Sequence, residues 1–342
     1  MNNQHASSSG IAVDVLLPYR NAATTLSACL ESLAAQTLPT WRLIAVDDQS
    51  SDDSALMIEA FARRFPRIVR LSSPEPGLVA ALNAGLKVAE APLIARMDAD
   101  DVMHPERLER QVAWLVGHPE TGVIGCRVAT EHPPGLRHYI SWSNTLLDHE
   151  AIARARFIES PLIHPTVCFR HELIDRYGGY QTGDFPEDYE LWLRWLDAGV
   201  RFAKVDAELL TWRDPPNRLT RTDPRYRVEA FFDIKAGYLA RWLDRHSPFK
   251  RRVWVWGAGY ETRRRVRRLR AHGIVLEGFI DVDPRKIGTS NQDGRVVAPE
   301  EAPGPEHGFV LAAVGSRGAR ELIAARLHAL GYREGASFLA IA

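Results

Sequence analysis

A chain of 342 residues with 43 basic and 43 acidic side chains, 45% hydrophobic and 25% charged, has the composition of a soluble globular protein large enough for two domains. It excludes a transmembrane protein, because no run approaches the roughly 20 apolar residues of a spanning helix. It also excludes a disulfide scaffold or zinc site, because Cys29, Cys126 and Cys168 are few, scattered and odd in number. The polar start, Met1 to Gly10, lacks a signal-peptide core, so a cytoplasmic, reducing location is expected.

Val13 to Leu17 reads as a strand stopped by Pro18, and Asn21 is placed to cap a helix with Leu26, Cys29, Leu30 and Leu33 on one face. Trp41 to Val46 is a second strand, with Ser51 or Asp52 capping a helix over 54–64. Ile68 to Leu71 follows as a short strand, Gly77 precedes a helix through Leu82 and Leu86, and 92–97 is again strand. This alternation predicts a mainly parallel central sheet with helices on both faces. Pro105 opens a helix with Leu108, Val112 and Leu115 on its buried side, and Val123 to Val128 is a strand. Residues 131–160 are mixed, with Pro133-Pro134-Gly135 as a break. After Gly178-Gly179 a helix spans 187–196, the aperiodic stretch Thr211 to Asp223 is a loop, and a long helix covers 224–245. Ser247-Pro248 marks a boundary between domains at 1–246 and 247–342. A second α/β pattern then begins, with strands at Val253 to Trp256, Val275 to Ile280, Phe309 to Val314 and Ser337 to Ile341. Residues 247–342 hold 16 basic and 10 acidic groups, which leaves the first 246 net acidic; the halves could attract one another or present one basic face to an anion.

Asp98-Ala99-Asp100-Asp101 stands directly after the apolar run Ala91 to Met97. Three carboxylates in four residues at a strand end repel one another and require a cation, water or positive side chains to share the charge. Asp98 and Asp100 can both reach one hard divalent ion, which prefers oxygen ligands. A second acidic strand end, Asp47-Asp48, lies about fifty residues upstream. Ligands in open α/β sheets bind beyond the carboxyl ends of the strands, so the two acidic ends point to one cleft.

The ordered set Leu17-Pro18-Tyr19-Arg20-Asn21, Val46 to Asp52, Ala81 to Leu86, Ala95 to Asp101, Ser160 to Val167 and Pro186 to Arg194 resembles the family 2 glycosyltransferases of GT-A fold over about residues 11–215. Gln49 departs from the pattern, since the family usually has glycine after the acidic pair. The resemblance implies a nucleotide-sugar donor, a UDP-sugar first, bound around Pro18, Tyr19, Asp47 and Asp48, with Asp48 accepting the uracil N3 proton. For Asp47 and Asp52 a loop-stabilising role competes. It implies Mn²⁺ or Mg²⁺ held by Asp100 and secondarily Asp98, with Asp101 orienting a water or pairing with Arg107. Arg96 counters the acidic charge or holds a loop. His164 touches the diphosphate or metal, or is structural. Asp188 is the implied base for an inverting transfer, and Glu187 orients the acceptor or sits in an ion pair. Trp192, four residues on, packs along an acceptor sugar or in the core. The implied reaction is sugar transfer to a glycan or lipid-linked saccharide in cell-surface polysaccharide biosynthesis. A nucleotidyltransferase using the same acids, and a non-catalytic nucleotide-sugar-binding assembly protein, are the alternatives.

In the C-terminal pattern, Gly257-Ala258-Gly259 follows a strand and Asp281 ends the next one, close to a dinucleotide-binding arrangement; Thr262 replaces the third glycine. The segment Val253 to Asp283 resembles the small Rossmann-like domain of sugar-modifying enzymes, which implies an additional nucleotide at Gly257, Gly259 and Asp281, or a docking role. Six arginines between Arg263 and Arg270 suit a solvated or interdomain face, or peripheral contact with an anionic membrane at its inner surface. Nucleic acid is not expected, since no aromatic platform accompanies them.

Overall fold

The computed structural model describes residues 10–129, 134–214 and 218–342. The reading of the N-terminal nine residues, Pro133 of the expected break and 215–217 of the expected loop lie outside the described residues. The chain forms two compact units. The first comprises Met1–Ala153, Pro161–Thr182 and Arg194–Thr222, and the second Arg154–Ser160, Gly183–Leu193 and Asp223–Ala342.

The first unit is built on β1 (Val13–Tyr19), β2 (Trp41–Asp47), β3 (Ile68–Ser72), β4 (Leu93–Arg96), β5 (Val102–Met103), β6 (Thr121–Val128), β7 (Cys168–Arg170) and β8 (Arg201–Thr211). They form one sheet in the order β3-β2-β1-β4-β7-β6-β8-β5. β3, β2, β1 and β4 run parallel, β7 is antiparallel to both neighbours, β6 and β8 are parallel and β5 pairs antiparallel with β8. Every residue of β1 is buried, as expected for a strand covered on both faces. Its one charge, Asp14, is neutralised by a fork from Arg42 at 2.7 and 2.8 Å and by the backbone N–H groups of Glu90 and Ala91. Helix Leu78–Leu86 lies close on this sheet because Gly85 has no side chain; a Cβ there would stand 2.2 Å from Leu16 Cδ1.

Several boundaries differ from expectation. Asn21 does not cap the first helix, which starts at Leu26 after Thr25; Asn21 sits at φ 48° and uses its side chain across the loop to Ser51. Asp53 precedes helix Ser54–Arg64, while Asp52 accepts from the Ser54 N–H and hydroxyl. The mixed stretch holds helices Pro134–Thr145 and His149–Ala155, so Pro134 begins a helix rather than a break. The expected loop contains a short helix, Leu219–Thr222, and the long helix begins later, at Val228.

The second unit contains β9 (Arg252–Trp256), β10 (Val275–Ile280), β11 (Ser290–Asn291), β12 (Gly294–Val297), β13 (Phe309–Ala312) and β14 (Phe338–Ala340), ordered β11-β12-β10-β9-β13-β14. All pairs are parallel except the β11–β12 hairpin, so five strands have the doubly wound 3-2-1-4-5 order. Helix Val228–His246 belongs to this unit: Phe232, Ala236, Leu239 and Leu243 share one core with Phe157, Tyr189, Leu193, Val253, Val255, Phe309 and Leu311. The second strand pattern thus begins in sequence at β9, whereas the compact unit also takes in 223–251 and two short pieces of the earlier chain.

Candidate active site

The carboxyl ends of β2, β1 and β4 are neighbours in the sheet, which places the loops bearing Asp48, Tyr19 and Asp98 side by side. The loops after β1 and β2 are sewn together. Ser51 N donates to Asn21 Oδ1 at 2.8 Å, Asn21 N to Ser50 Oγ at 3.1 Å, Ala22 N to Ser54 Oγ at 2.8 Å and Ala23 N to Asp52 Oδ2 at 3.0 Å. Asp47 Oδ1 accepts from Ser50 N at 2.9 Å, and hydrogen bonds from Ser54 and Ala23 hold the Asp52 carboxyl below the usual carboxylate range. Both acids therefore stabilise the loop. Gln49 follows at φ 59°, a left-handed conformation that glycine adopts without strain, which gives a physical reason for the glycine the resemblance predicts there.

Asp48 is 7% exposed. Its Oδ1 accepts from Gly77 N at 2.7 Å, at the start of helix Leu78–Leu86, and its Oδ2 lies 3.7 Å from Arg20 Nη1. One oxygen is thereby fixed by the backbone while the other faces the Arg20 cation on an exposed side chain. Tyr19 is buried beside Asp47; burial and that charge raise its phenol, which stays protonated. Pro18 does not stop the strand: it pairs with Val46 inside β1, which runs on to Tyr19 opposite Asp47.

Beyond β4, one carboxylate oxygen each from Asp98, Asp100 and Asp101 lie within 4.8 Å of one another. Arg96 is almost wholly buried and donates to Asp98 Oδ1 at 2.5 Å and to the Met97 carbonyl, so it does counter the acidic charge. Cys29 Sγ donates to the Asp98 carbonyl at 3.4 Å and fixes the same turn from below. Burial, then the charge of Asp98, raises Asp100 to about 6; burial and both neighbouring acids raise Asp101 well above its ordinary value. Asp101 Oδ1 accepts from Arg213 N at 2.8 Å, and its buried Oδ2 has no hydrogen-bond partner among the described residues. Arg107 does not pair with Asp101: its guanidinium donates to the Arg96 carbonyl, Gln111 Oε1, the Met97 sulfur and the Val167 carbonyl. An orphaned buried carboxylate oxygen beside two further acids is a donor set suited to a hard divalent cation. Sequence reasoning missed the Arg213 backbone N–H that binds Asp101 and the Arg218 charge that acts on Asp100 and Asp101; the pattern of 211–222 has no period to mark them.

His164 is buried in the same unit, its Nε2 bonded to the Tyr180 hydroxyl at 2.7 Å. Burial and the nearby Arg96 push it well below its ordinary value, so the imidazole is neutral.

Helix Glu187–Asp197, whose residues 187–193 fall in the second unit, carries Glu187 and Asp188 in its first turn. Glu187 is 2% exposed and accepts from the Tyr226 hydroxyl at 2.7 Å. Asp188 is half-buried, with Oδ1 bound to Tyr189 N at 2.8 Å. Trp192 is fully buried, so it packs in the interior rather than offering a ring face. Tyr226 and Tyr238 were not singled out from sequence, because no local motif surrounds them.

The glycine turn of this unit is formed, with Gly257 at φ 111° where a Cβ would stand 2.5 Å from Val314. Asp281, however, is consumed internally. Its carboxylate accepts from Ala258 N at 2.8 Å and Asp283 N at 2.9 Å and pairs with Lys286 at 3.1 Å, which lowers its titration. The arginine run is likewise engaged. Arg264 pairs with Glu229 and Glu261, Arg268 with Asp233, and Arg267 and Arg270 with buried Asp293.

Residues 14–178 match the family model described as glycosyl transferase family 2. The amylovoran biosynthesis glycosyltransferase AmsE of Erwinia amylovora is 34% identical over 191 residues, covering 55% of this chain and 70% of the relative. The chain belongs to the family 2 glycosyltransferases. An uncharacterized glycosyltransferase of Haemophilus influenzae is 31% identical over 182 residues, 53% of this chain and 67% of that one. The crystal structure of S. aureus TarS 1-349 in complex with UDP-GlcNAc shares the fold, with a TM-score of 0.56 at 19% identity over 70% of this chain and 74% of that chain. The first unit is accordingly the GT-A domain of a sugar-transferring enzyme, and the acidic turn after β4 is its metal-type carboxylate cluster. No helix among the described residues is long and apolar enough to cross a membrane.

Proposed function

We propose that this glycosyltransferase moves a sugar from a UDP-sugar to a hydroxyl of a glycan or lipid-linked saccharide, with inversion, in cell-surface polysaccharide biosynthesis. The observation that carries the reading is the Asp98-Asp100-Asp101 cluster on the same sheet edge as Asp48. Amylovoran biosynthesis, named for one relative, supports the polysaccharide context. Asp48 Oδ2 is the acceptor for a base N–H, its other oxygen being held by Gly77, and Pro18 and Tyr19 form the adjoining wall. Asp100 and Asp98 would hold Mn²⁺ or Mg²⁺ with Asp101 beneath; when bound, such an ion offsets negative charge on the departing diphosphate. Arg96 keeps Asp98 turned toward that position, while Asp47 and His164 support the surrounding loops. Asp188 takes the proton of the attacking hydroxyl, an acid in the first turn of a helix being favoured in its charged form. With four of the six arginines at 263–270 in ion pairs and Asp281 engaged, membrane contact and an additional nucleotide at Gly257, Gly259 and Asp281 gain no support. The reading is of a cytoplasmic enzyme acting on a soluble donor.

The test is a donor screen with Mn²⁺ or Mg²⁺, with the product linkage read by NMR. Asp100→Asn should lower metal-supported turnover at least about tenfold, equivalent to about 1.4 kcal/mol of transition-state stabilisation. Full activity of folded D100N, or retained anomeric configuration in the product, would overturn the assignment.

A further inference from the structure

Two adjacent acids open helix Glu187–Asp197, yet proton acceptance from one hydroxyl needs one base. Glu187 and Glu190 lie three residues apart on one face, and Asp188 projects about 100° from Glu187 and about 160° from Glu190. Both glutamates are buried and each accepts from a tyrosine hydroxyl. Tyr226 donates to Glu187 Oε2 at 2.7 Å, and Tyr238 donates to Glu190 Oε1 at 2.6 Å. A third hydroxyl, of Tyr189 on the helix itself, donates to the Arg156 carbonyl at 2.5 Å.

Tyr226 is also held by its own turn. Asp223 caps the turn Pro224–Tyr226 by accepting from Arg225 N at 2.9 Å and grips the Arg225 guanidinium at 3.0 and 2.7 Å. Glu187 is therefore faced by the Tyr226 hydroxyl and the Arg225 charge from this turn and by Asp188 on its own helix, and burial, then the two acids, holds the Tyr226 phenol above its ordinary range. Both tyrosines lie beyond residue 178, where the family match ends.

We propose that Tyr226 and Tyr238 are positioning residues whose hydroxyls fix the Glu187 and Glu190 carboxylates on the helix that bears Asp188. The inference rests on Asp188 being the base. It also gives the C-terminal unit a part in the chemistry, since both hydroxyls belong to that unit.

The test uses the full chain with carbon-13 carboxyl labels on Asp and Glu, assigned through Glu187→Gln and Asp188→Asn. In parallel, release of UDP from UDP-GlcNAc and UDP-glucose is followed with Mn²⁺ present and water as acceptor. In Tyr226→Phe the Glu187 resonance should protonate at higher pH, because its ionised form has lost a donor. Turnover should fall roughly tenfold with donor affinity unchanged, and that fall should vanish in the E187Q background, where the two changes are coupled. Tyr238→Phe should act in the same direction through Glu190. An unmoved Glu187 resonance in Y226F, parent-like turnover of both variants, or losses that simply add to that of E187Q would each overturn the proposal. If D188N keeps parent turnover the base assignment fails by itself, and the carboxyl titration still reports on the Tyr226–Glu187 contact.

Discussion

A chain ended at residue 246 cuts the second unit while leaving the first whole. Helix Val228–His246 would survive in sequence but lose β9 to β14, against which Phe232, Leu239, Trp242 and Leu243 pack. Trp242 sits 5.9 Å from the Phe309 ring, and Lys235 Nζ, fully buried, donates to the Ile341 carbonyl at 2.6 Å. Burying a large apolar side chain is worth about 1.5–3 kcal/mol. Re-exposing half of those four side chains costs on the order of 5 kcal/mol, comparable with the roughly 5–15 kcal/mol by which a domain is stable. Tyr189 and Leu193 belong to the same core, so the helix bearing Asp188 should loosen with it. Hydrogen exchange read by mass spectrometry should show β1 to β4 as protected in the 1–246 form as in the parent, with 183–193 and 228–246 exchanging freely. UDP should still bind with Mn²⁺, and transfer should be lost. Native protection of 183–193 together with parent turnover would refute this account and make the C-terminal unit a detachable accessory.

Two further outcomes follow from the acids. Asp188→Asn keeps the side-chain shape and removes the proton acceptor, so steady-state assays should show a fall of about 10²–10⁴-fold with donor affinity intact. Asp100 titrates at about 6 because burial and Asp98 disfavour its charge, and a bound cation requires the ionised form. Mn²⁺ affinity measured by calorimetry should therefore weaken as pH falls through about 6, with proton release on binding below that value. The sign for the metal-free protein is opposite to that of a salt-bridged acid. Asp100 binds a proton more tightly when folded, so its contribution to stability grows as pH falls from about 6 toward the ordinary 3.8 and is lost as pH rises through 6. Thermal melts in chelator that show no such gain would count against the buried cluster.

Much of the fold was legible because the signals were local. Seven buried residues in β1 and the strand–helix alternation through 97 state a parallel sheet in their own composition, and the acidic turn after β4 announces itself by charge. Elsewhere the deciding partner is distant. Asn21 carries a helix-capping side chain, yet Ser51, thirty residues on, takes its oxygen, and the helix starts later. Asp281 has the spacing of a ribose ligand, but Lys286 and the Ala258 amide use its carboxylate first. Six arginines within eight residues look like a cationic face until Asp233, Glu229 and Asp293 are brought to them by the fold.

The domain boundary shows the same limit in energetic form. Where the strand pattern restarts, near 252, is visible in sequence, because a strand is recognised from its own residues. Which sheet an amphipathic helix covers is not, because its apolar face fits any apolar surface until topology chooses one. Helix Val228–His246 lies before the restart and packs after it, and Glu187–Leu193 is drawn into the same core from forty residues earlier. The helix proposed to carry the base packs with residues far along the chain, so its own motif alone does not set its surroundings. Its two glutamates are held by hydroxyls on Tyr226 and Tyr238, so substitutions in a segment without a family signature should change turnover while leaving donor affinity alone.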